Sequence, residues 1–249
     1  INLASCREIS VGQMTVQVID PVQDYAELMG ELFDFDKLKS AFANKELSLC
    51  FDSMHAVTGP YAIEIFENIL GAEKGSVING VPLEDFGGGH PDPSLVHAKQ
   101  LQSIVNSDEG PLLGAASDGD GDRNLILGKN TFVSPGDSLA VITDHAGRLP
   151  QFKAGIKGVA RSMPTSTAVD RVAEAKDISC YETPTGWKFF GSLLDAEQIS
   201  LCGEESFGTS GDHLREKDGI WAVLCWLSLC VELKKTPEEV LYDLWDRYG

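Results

Sequence analysis

The stretch LGAASDGDGDRNLIL, from Leu113 to Leu127, decides the fold. Leu113 to Ser117 reads as a short buried strand, and Leu125, Ile126 and Leu127 read as the next. Between them Asp118, Asp120 and Asp122 alternate with glycines and lead into Arg123. No core can hold that run, because unpaired carboxylates are too costly to desolvate. The glycines let the backbone turn tightly and aim the acids at one point. A hard divalent cation such as Mg2+ suits such a cluster: it prefers oxygen ligands and keeps positions open for a substrate phosphate. Arg123 could grip that phosphate through a bidentate fork. A calcium loop of the EF-hand type also starts with alternating acids, but it needs glycine at its sixth position and glutamate at its twelfth. Arg123 and Lys129 stand there instead. The bland alternative is an acidic surface turn.

Working outward, the same rhythm repeats. Met14 to Ile19 alternates like a strand, and Asp20-Pro21 opens a helix through Tyr25, Leu28, Met29 and Leu32, with aspartate as cap. Leu47 to Asp52 is a buried strand; Gly59-Pro60 starts a helix that stops at Gly71. Val77 to Val81 reads as a strand, Phe86 to Pro93 as a rigid glycine–proline loop, and Leu95 to Val105 as a helix. A second unit begins near Ser134. It has helices at Asp137 to Ala146 and from Pro164 to Ala175, and strands at Gly158 to Arg161, Ile178 to Glu182 and Ile199 to Cys202. Ile220 to Val231 is apolar nearly all round and reads as a helix buried within a domain, too short to span a bilayer. Ile1 to Ser10 shows no start of a fold, and a chain beginning at Ile1 is expected to be a piece of a longer one. Strands alternating with helices, with polar loops at strand ends, specify an α/β layer structure.

The net charge of −18 argues against a nucleic-acid binder, whose footprint would be basic. Six scattered cysteines with no C-x-x-C pair give no support to structural zinc and suit buried thiols in a reducing compartment. No leader peptide is visible, so a cytoplasmic location is expected.

Three loops carry candidate chemistry. Gly203-Glu204-Glu205-Ser206-Phe207-Gly208 offers carboxylates and a hydroxyl at a strand end, suited either to recognising a polyol or to capping the next element. Asp212 to Gly219 is either a solvated charged run or the wall of a site, with Lys217 or His213 facing phosphate or moving a proton. Thr183 to Lys188 is a third strand-end loop, in which Trp187 reads as packing between layers. His55 and His90 read as hydrogen-bonded structure rather than metal ligands. Ser53 and Ser206 have no adjacent histidine pattern that supports a hydrolase triad.

Six motifs together resemble the phosphoglucomutases of the α-D-phosphohexomutase superfamily, in the eukaryotic-type branch that includes parafusin-like proteins. They are Asp85 to Pro93, Asp118 to Asn124, Ala160 to Ser166, Pro184 to Phe190, Cys202 to Gly208 and Asp212 to Gly219. The resemblance implies two tandem three-layer α/β domains, each a mixed sheet between helices, from the middle of a four-domain enzyme. Residues 1–20 would be the tail of a preceding domain, 21–134 the metal-binding domain and 135–249 the sugar-binding domain. It implies Mg2+ on Asp118, Asp120 and Asp122, phosphate contact by Arg123, Lys217 in the cleft, sugar hydroxyls on Glu204 and Ser206, and a loop sensing sugar orientation at Thr185 and Gly186. The implied reaction interconverts glucose 1-phosphate and glucose 6-phosphate through glucose 1,6-bisphosphate. Where the family usually reads Gly-Thr-Gly-Ser-Asp-His, this chain has Gly208-Thr209-Ser210-Gly211-Asp212-His213. The family's Thr-Ala-Ser-His-Asn nucleophile loop and Arg-x-Ser-Gly-Thr phosphate loop do not occur in this sequence. The expected partners are therefore the phosphoserine domain and the C-terminal phosphate-binding domain of the same chain, and the segment alone is expected to be inactive. The rival classes are a catalytically silent structural or regulatory member of a larger assembly and a free Mg2+ or sugar-phosphate binding module.

Overall fold

The structure, a computed structural model, describes residues 2–3 and 5–249. Within the opening segment Ile1 and Ala4 lie outside the described residues, but the rest departs from expectation. Strand β1 (Arg7–Val11) pairs antiparallel with β2 (Met14–Val18), with Val11 opposite Met14 across a two-residue turn. Most of this hairpin's side chains face solvent, so no hydrophobic alternation marks β1 in the sequence.

The first unit then follows the expected order. Helix α1 (Pro21–Leu32) is capped by Asp20, whose carboxylate accepts from the Val22 amide at 3.0 Å. Helix α2 (Phe35–Ala43), not anticipated, is capped in the same way by Asp34. Strand β3 (Leu49–Asp52) leads to α3 (Thr58–Ala62), which widens into a π-helical segment at Ile63–Ile69. There the buried Glu67 accepts from the Gly75 and Val77 amides at 2.9 and 3.0 Å and sets the entry to β4 (Val77–Ile78). The strand expected to reach Val81 ends at Ile78, and the helix expected from Leu95 begins later, as α4 (Lys99–Val105). Strands β5 (Leu113–Ser117), β6 (Asn124–Gly128) and β7 (Thr131–Val133) complete a sheet of order β4-β3-β5-β6-β7. β4, β3 and β5 are parallel; β6 and β7 turn back antiparallel.

Alternate residues of these strands serve opposite faces. Phe51, Ala115 and Ile126 enter the main core, while Cys50, Ala116, Leu125 and Leu127 pack with Leu101 and Val105 of α4. This gives the helix–sheet–helix layering expected for the unit.

The second unit contains α5 (Pro135–His145), β8 (Val159–Ser162), α6 (Ala168–Lys176), β9 (Cys180–Thr183), α7 (Lys188–Asp195), β10 (Leu201–Gly203), β11 (Thr209–Gly211), α8 (Gly219–Leu233) and α9 (Pro237–Tyr248). Its sheet runs β11-β10-β8-β9, parallel except for β11. Helix α7 covers one face with Phe190 and Leu194. The reordered Ser210-Gly211 pair lies buried in β11.

Helix α8 corrects the expectation of a helix inside one domain. It touches β5, β6 and α2 of the first unit as well as β11, α5 and α9 of the second. An apolar surface all round is what a helix between two units requires. Its first turn is fixed by Asp218, which accepts from the Trp221 amide at 2.9 Å. No helix among the described residues is long and apolar enough to cross a membrane. All six cysteines are free, and Cys50, Cys202, Cys225 and Cys230 are buried, as their scattered pattern implied.

Candidate functional site

Apart from the 212–219 loop, which follows the antiparallel β11, three candidate loops leave the C-terminal end of a parallel strand: the acidic loop after β5, the 184–187 loop after β9 and the 204–208 loop after β10. That edge is where open α/β sheets place their ligands.

In the acidic loop Asp118 is buried, Asp122 half-buried and Asp120 exposed, and one oxygen from each lies within 4.8 Å of the others. Asp118 Oδ1 accepts from the Gly121 and Arg123 amides, both at 3.1 Å, which curls the loop around its carboxylate. Gly121 has φ +82°, and a Cβ there would stand 2.6 Å from Thr58 Cγ2, so only glycine fits. Thr58 is held by a 2.6 Å hydrogen bond to Ser117. Burial, reinforced by the charges of Asp122 and Asp120, pushes the Asp118 carboxyl up to about 6, against the lowering effect of the Arg123 amide.

The cations around this cluster do not neutralise it. Arg123 Nε stands 3.7 Å from Asp118 and 3.9 Å from Asp122, and its NH1 is 3.9 Å from Asp92. Buried Arg123 Nε and Asp122 Oδ1 have no hydrogen-bond partner. Buried polar atoms are normally paired. A guanidinium and a carboxylate oxygen left unpaired together fit a site shaped for an anion and a cation. Only Lys217 pairs closely, its Nζ 2.9 Å from Asp122 Oδ2.

Backbone contacts join the acidic loop to the second unit. Arg123 and Gly208 form an isolated antiparallel bridge, and the Asn124 amide donates to Phe207 O at 3.0 Å. The Gly219 amide donates to Gly121 O at 3.1 Å. Tyr25 of α1 donates to Asp218 at 2.6 Å, and burial, then the Asp218 charge, raises its hydroxyl pKa well above the usual value.

The 204–208 loop lies beside this junction. Glu204 is buried, and its Oε1 accepts from the Gly186 amide at 3.4 Å, so this loop meets the 184–187 loop. A Cβ on Gly208 would stand 2.3 Å from Lys217 Cδ; the glycine makes room for the lysine stem. Ser206 is half-buried and Thr185 exposed, and neither hydrogen-bonds to the acidic cluster. Glu205 turns away and accepts from Ser162 at 2.8 Å and Thr165 at 3.2 Å.

Of the two readings of residues 212–219, the wall of a site describes Lys217, which reaches both Asp122 and the face of Trp187, 5.9 Å from the ring centre. His213 turns inward, stacks on Trp221 at 5.2 Å and contacts Asp218 at 3.1 Å. Two contributors were not anticipated. Trp187, read as interior packing, packs edge-on against Phe190 while its Nε1 donates to Arg215 O at 3.1 Å beneath Lys217. Asp92 reaches Arg123 from the 86–93 loop, which the sequence marks as rigid and as part of the Asp85 to Pro93 motif without giving Asp92 a role. A cleft of about 350 Å³ opens here, lined by Asp120, Asp122, Lys217, Tyr25 and Tyr61. A larger cleft of about 680 Å³, near Ser48 and Pro111, lies at the opposite strand ends, away from these groups.

Comparison with known proteins agrees with this geometry. Residues 23–131 match the family model for phosphoglucomutase/phosphomannomutase α/β/α domain II, and residues 135–248 match that for domain III. The whole chain is 57% identical to a phosphoglucomutase of Rhizobium radiobacter, covering 46% of that protein. It is 52% identical to the chloroplastic phosphoglucomutase of Arabidopsis thaliana, covering 42% of it. The open form of Paramecium parafusin, described as an exocytosis-sensitive phosphoprotein and phosphoglucomutase, superimposes with a TM-score of 0.95 at 50% identity, over all of this chain and 47% of that one. The chain thus spans less than half the length of these relatives.

Proposed function

This chain belongs to the phosphoglucomutase/phosphomannomutase family, and from that premise we propose that it supplies the metal and sugar loops of a phosphoglucomutase. The protein carrying it would interconvert glucose 1-phosphate and glucose 6-phosphate through glucose 1,6-bisphosphate. One observation carries the reading. The acidic loop and the 204–208 loop are joined by the Arg123–Gly208 bridge, and Lys217 reaches both, its Nζ on Asp122 and its stem against Gly208, so a cation-binding cluster and a polyol-suited loop lie side by side.

In this reading Asp118, Asp120 and Asp122 hold Mg2+. The orphaned Asp122 oxygen fits such an ion, as does the Asp118 carboxyl, whose pKa burial raises and the neighbouring carboxylates raise further. When bound, the ion supplies positive charge to a transferring phosphoryl group. Arg123, whose Nε makes no hydrogen bond within the protein, brings its guanidinium to substrate phosphate. Lys217 adds a second positive charge from the opposite wall. Glu204 and Ser206 accept sugar hydroxyls, and Thr185 and Gly186 contact the sugar's other side. The lysine's place over Trp187 restricts its wandering, which favours one orientation for the phosphate it meets.

The division into residues 1–20, 21–134 and 135–249 belongs to the same proposal, with phosphoserine and C-terminal phosphate-binding domains as partners within the chain. So do a cytoplasmic location and a phosphorylated state. The test is phosphorus NMR of the full-length protein with glucose 1-phosphate, Mg2+ and a trace of glucose 1,6-bisphosphate. Glucose 6-phosphate should accumulate to equilibrium. An unchanged spectrum, with Mg2+ binding intact, would favour the silent structural or regulatory role.

A further inference from the structure

Five histidines occur in the chain, and three have one ring nitrogen set against a protein group. His55 Nδ1 meets Val81 O at 3.0 Å, His145 lies 3.3 Å from Asp144, and His213 lies 3.1 Å from Asp218. His90 and His97 differ. Their rings lie 4.3 Å apart, both are exposed, and neither ring nitrogen hydrogen-bonds to a protein group. His90 reads as solitary in the sequence only because its neighbour is brought back by the turn at Pro91-Asp92-Pro93-Ser94.

We propose that His90, Asp92 and His97 form a transition-metal site, chemically distinct from the aspartate cluster. One ligand atom from each lies within 4.8 Å of the other two. Two imidazoles and one carboxylate suit Zn2+, Co2+ or Ni2+, whereas Mg2+ prefers oxygen alone. Bonds of roughly 2.0–2.2 Å to such an ion bring ligand atoms to roughly 3.3 Å apart in a tetrahedron. The remaining closure falls on side chains that are free to turn.

The backbone is already arranged for this. Pro91 and Pro93 fix φ on either side of Asp92. The amides of Asp92, Ser94 and His97 donate to His90 O, Asp92 O and Ser94 O at 2.9, 2.8 and 3.1 Å. A pre-ordered loop loses little freedom when it closes on an ion. Three protein ligands leave at least one position for water or a ligand, so the site takes an ion without enclosing it.

The position of this site gives it a consequence. Asp92 is also the carboxylate 3.9 Å from Arg123 NH1, and Pro91 lies against Gly119 of the acidic loop. An ion on the histidines withdraws Asp92 from Arg123, which ties the two loops together electrostatically.

The experiment is zinc binding by equilibrium dialysis on the full-length protein in excess Mg2+, with X-ray absorption of the zinc-loaded sample. The expected result is one zinc held by two imidazole nitrogens, retained in Asp120→Asn and weakened by about 100-fold or more in His97→Ala. Because His97 is exposed, His97→Ala should melt with the parent, and His97→Gln serves as a second variant if it does not. Zinc lost in Asp120→Asn and unchanged in both His97 variants, or a zinc environment of oxygens alone, overturns the proposal.

Discussion

Two buried aspartates, Asp118 and Asp144, have opposite surroundings. Asp144, at the end of α5, is flanked by two cations, Lys176 of α6 at 3.0 Å and Arg247 of α9, with the His145 ring at 3.3 Å and the Tyr248 hydroxyl donating at 2.8 Å. Burial alone would raise its pKa, but hydrogen bonds from Arg247, Lys176 and Tyr248 outweigh that and lower it. Asp118 sits among other carboxylates, and burial, reinforced by their charges, raises its pKa to about 6. One carboxylate is paired and holds three helices together. The other is left short of positive charge beside an unpartnered arginine nitrogen. The difference separates an acid that serves the fold from acids that await a ligand.

The largest expected effect breaks the functional side. Asp120→Asn in the full-length protein should lower Mg2+-dependent mutase turnover by about 10²–10³-fold, the scale of losing one charge-stabilising group. Steady-state kinetics showing parent-like turnover would remove the acidic loop from the reaction. Asp144→Asn should do the reverse. It should cost about 2–3 kcal/mol in urea unfolding, because its partners are partly exposed, and leave turnover per folded molecule unchanged.

A smaller effect sharpens the contrast. Because the folded Asp144 pKa is depressed, its contribution is present above the unfolded value of about 3.9 and is lost as pH falls through the folded value. The stability gap between parent and Asp144→Asn should therefore shrink between about pH 4 and pH 2; a constant gap would mean that the pair contributes no charge effect. Smallest of all, metal-free Asp118→Asn should melt at or slightly above the parent, since an asparagine oxygen still accepts from the Gly121 and Arg123 amides while one like charge is gone. A loss exceeding about 1 kcal/mol would show that the charge supports the fold.

The difference between these aspartates was only half legible in the sequence. Asp118, Asp120 and Asp122 announce themselves because glycines isolate them at a strand end. Asp144 gives no signal: apart from the adjacent His145, its partners lie 32 to 104 residues away on two other helices. The same physics explains the other gaps. Strands with buried apolar runs, such as Leu113 to Ser117, could be read locally, whereas the β1–β2 hairpin is exposed and shows no core pattern. The apolar character of α8 revealed burial but not that two units share it. Trp187 and Asp92 join the site through contacts with Lys217 and Arg123 that spacing along the chain does not encode. In β11, the Ser210-Gly211 reordering is absorbed in a buried strand, and neither residue lines the cleft.

The most direct test of the central claim is thermal unfolding of the full-length protein across a Mg2+ titration, with Asp120→Asn alongside. If the cluster is built for a cation, the parent should gain about 2.7 kcal/mol at one hundred times the dissociation constant, and the variant should gain little. Equal Mg2+ responses in parent and variant, or none in either, would contradict the account and return the acidic loop to an ordinary surface turn.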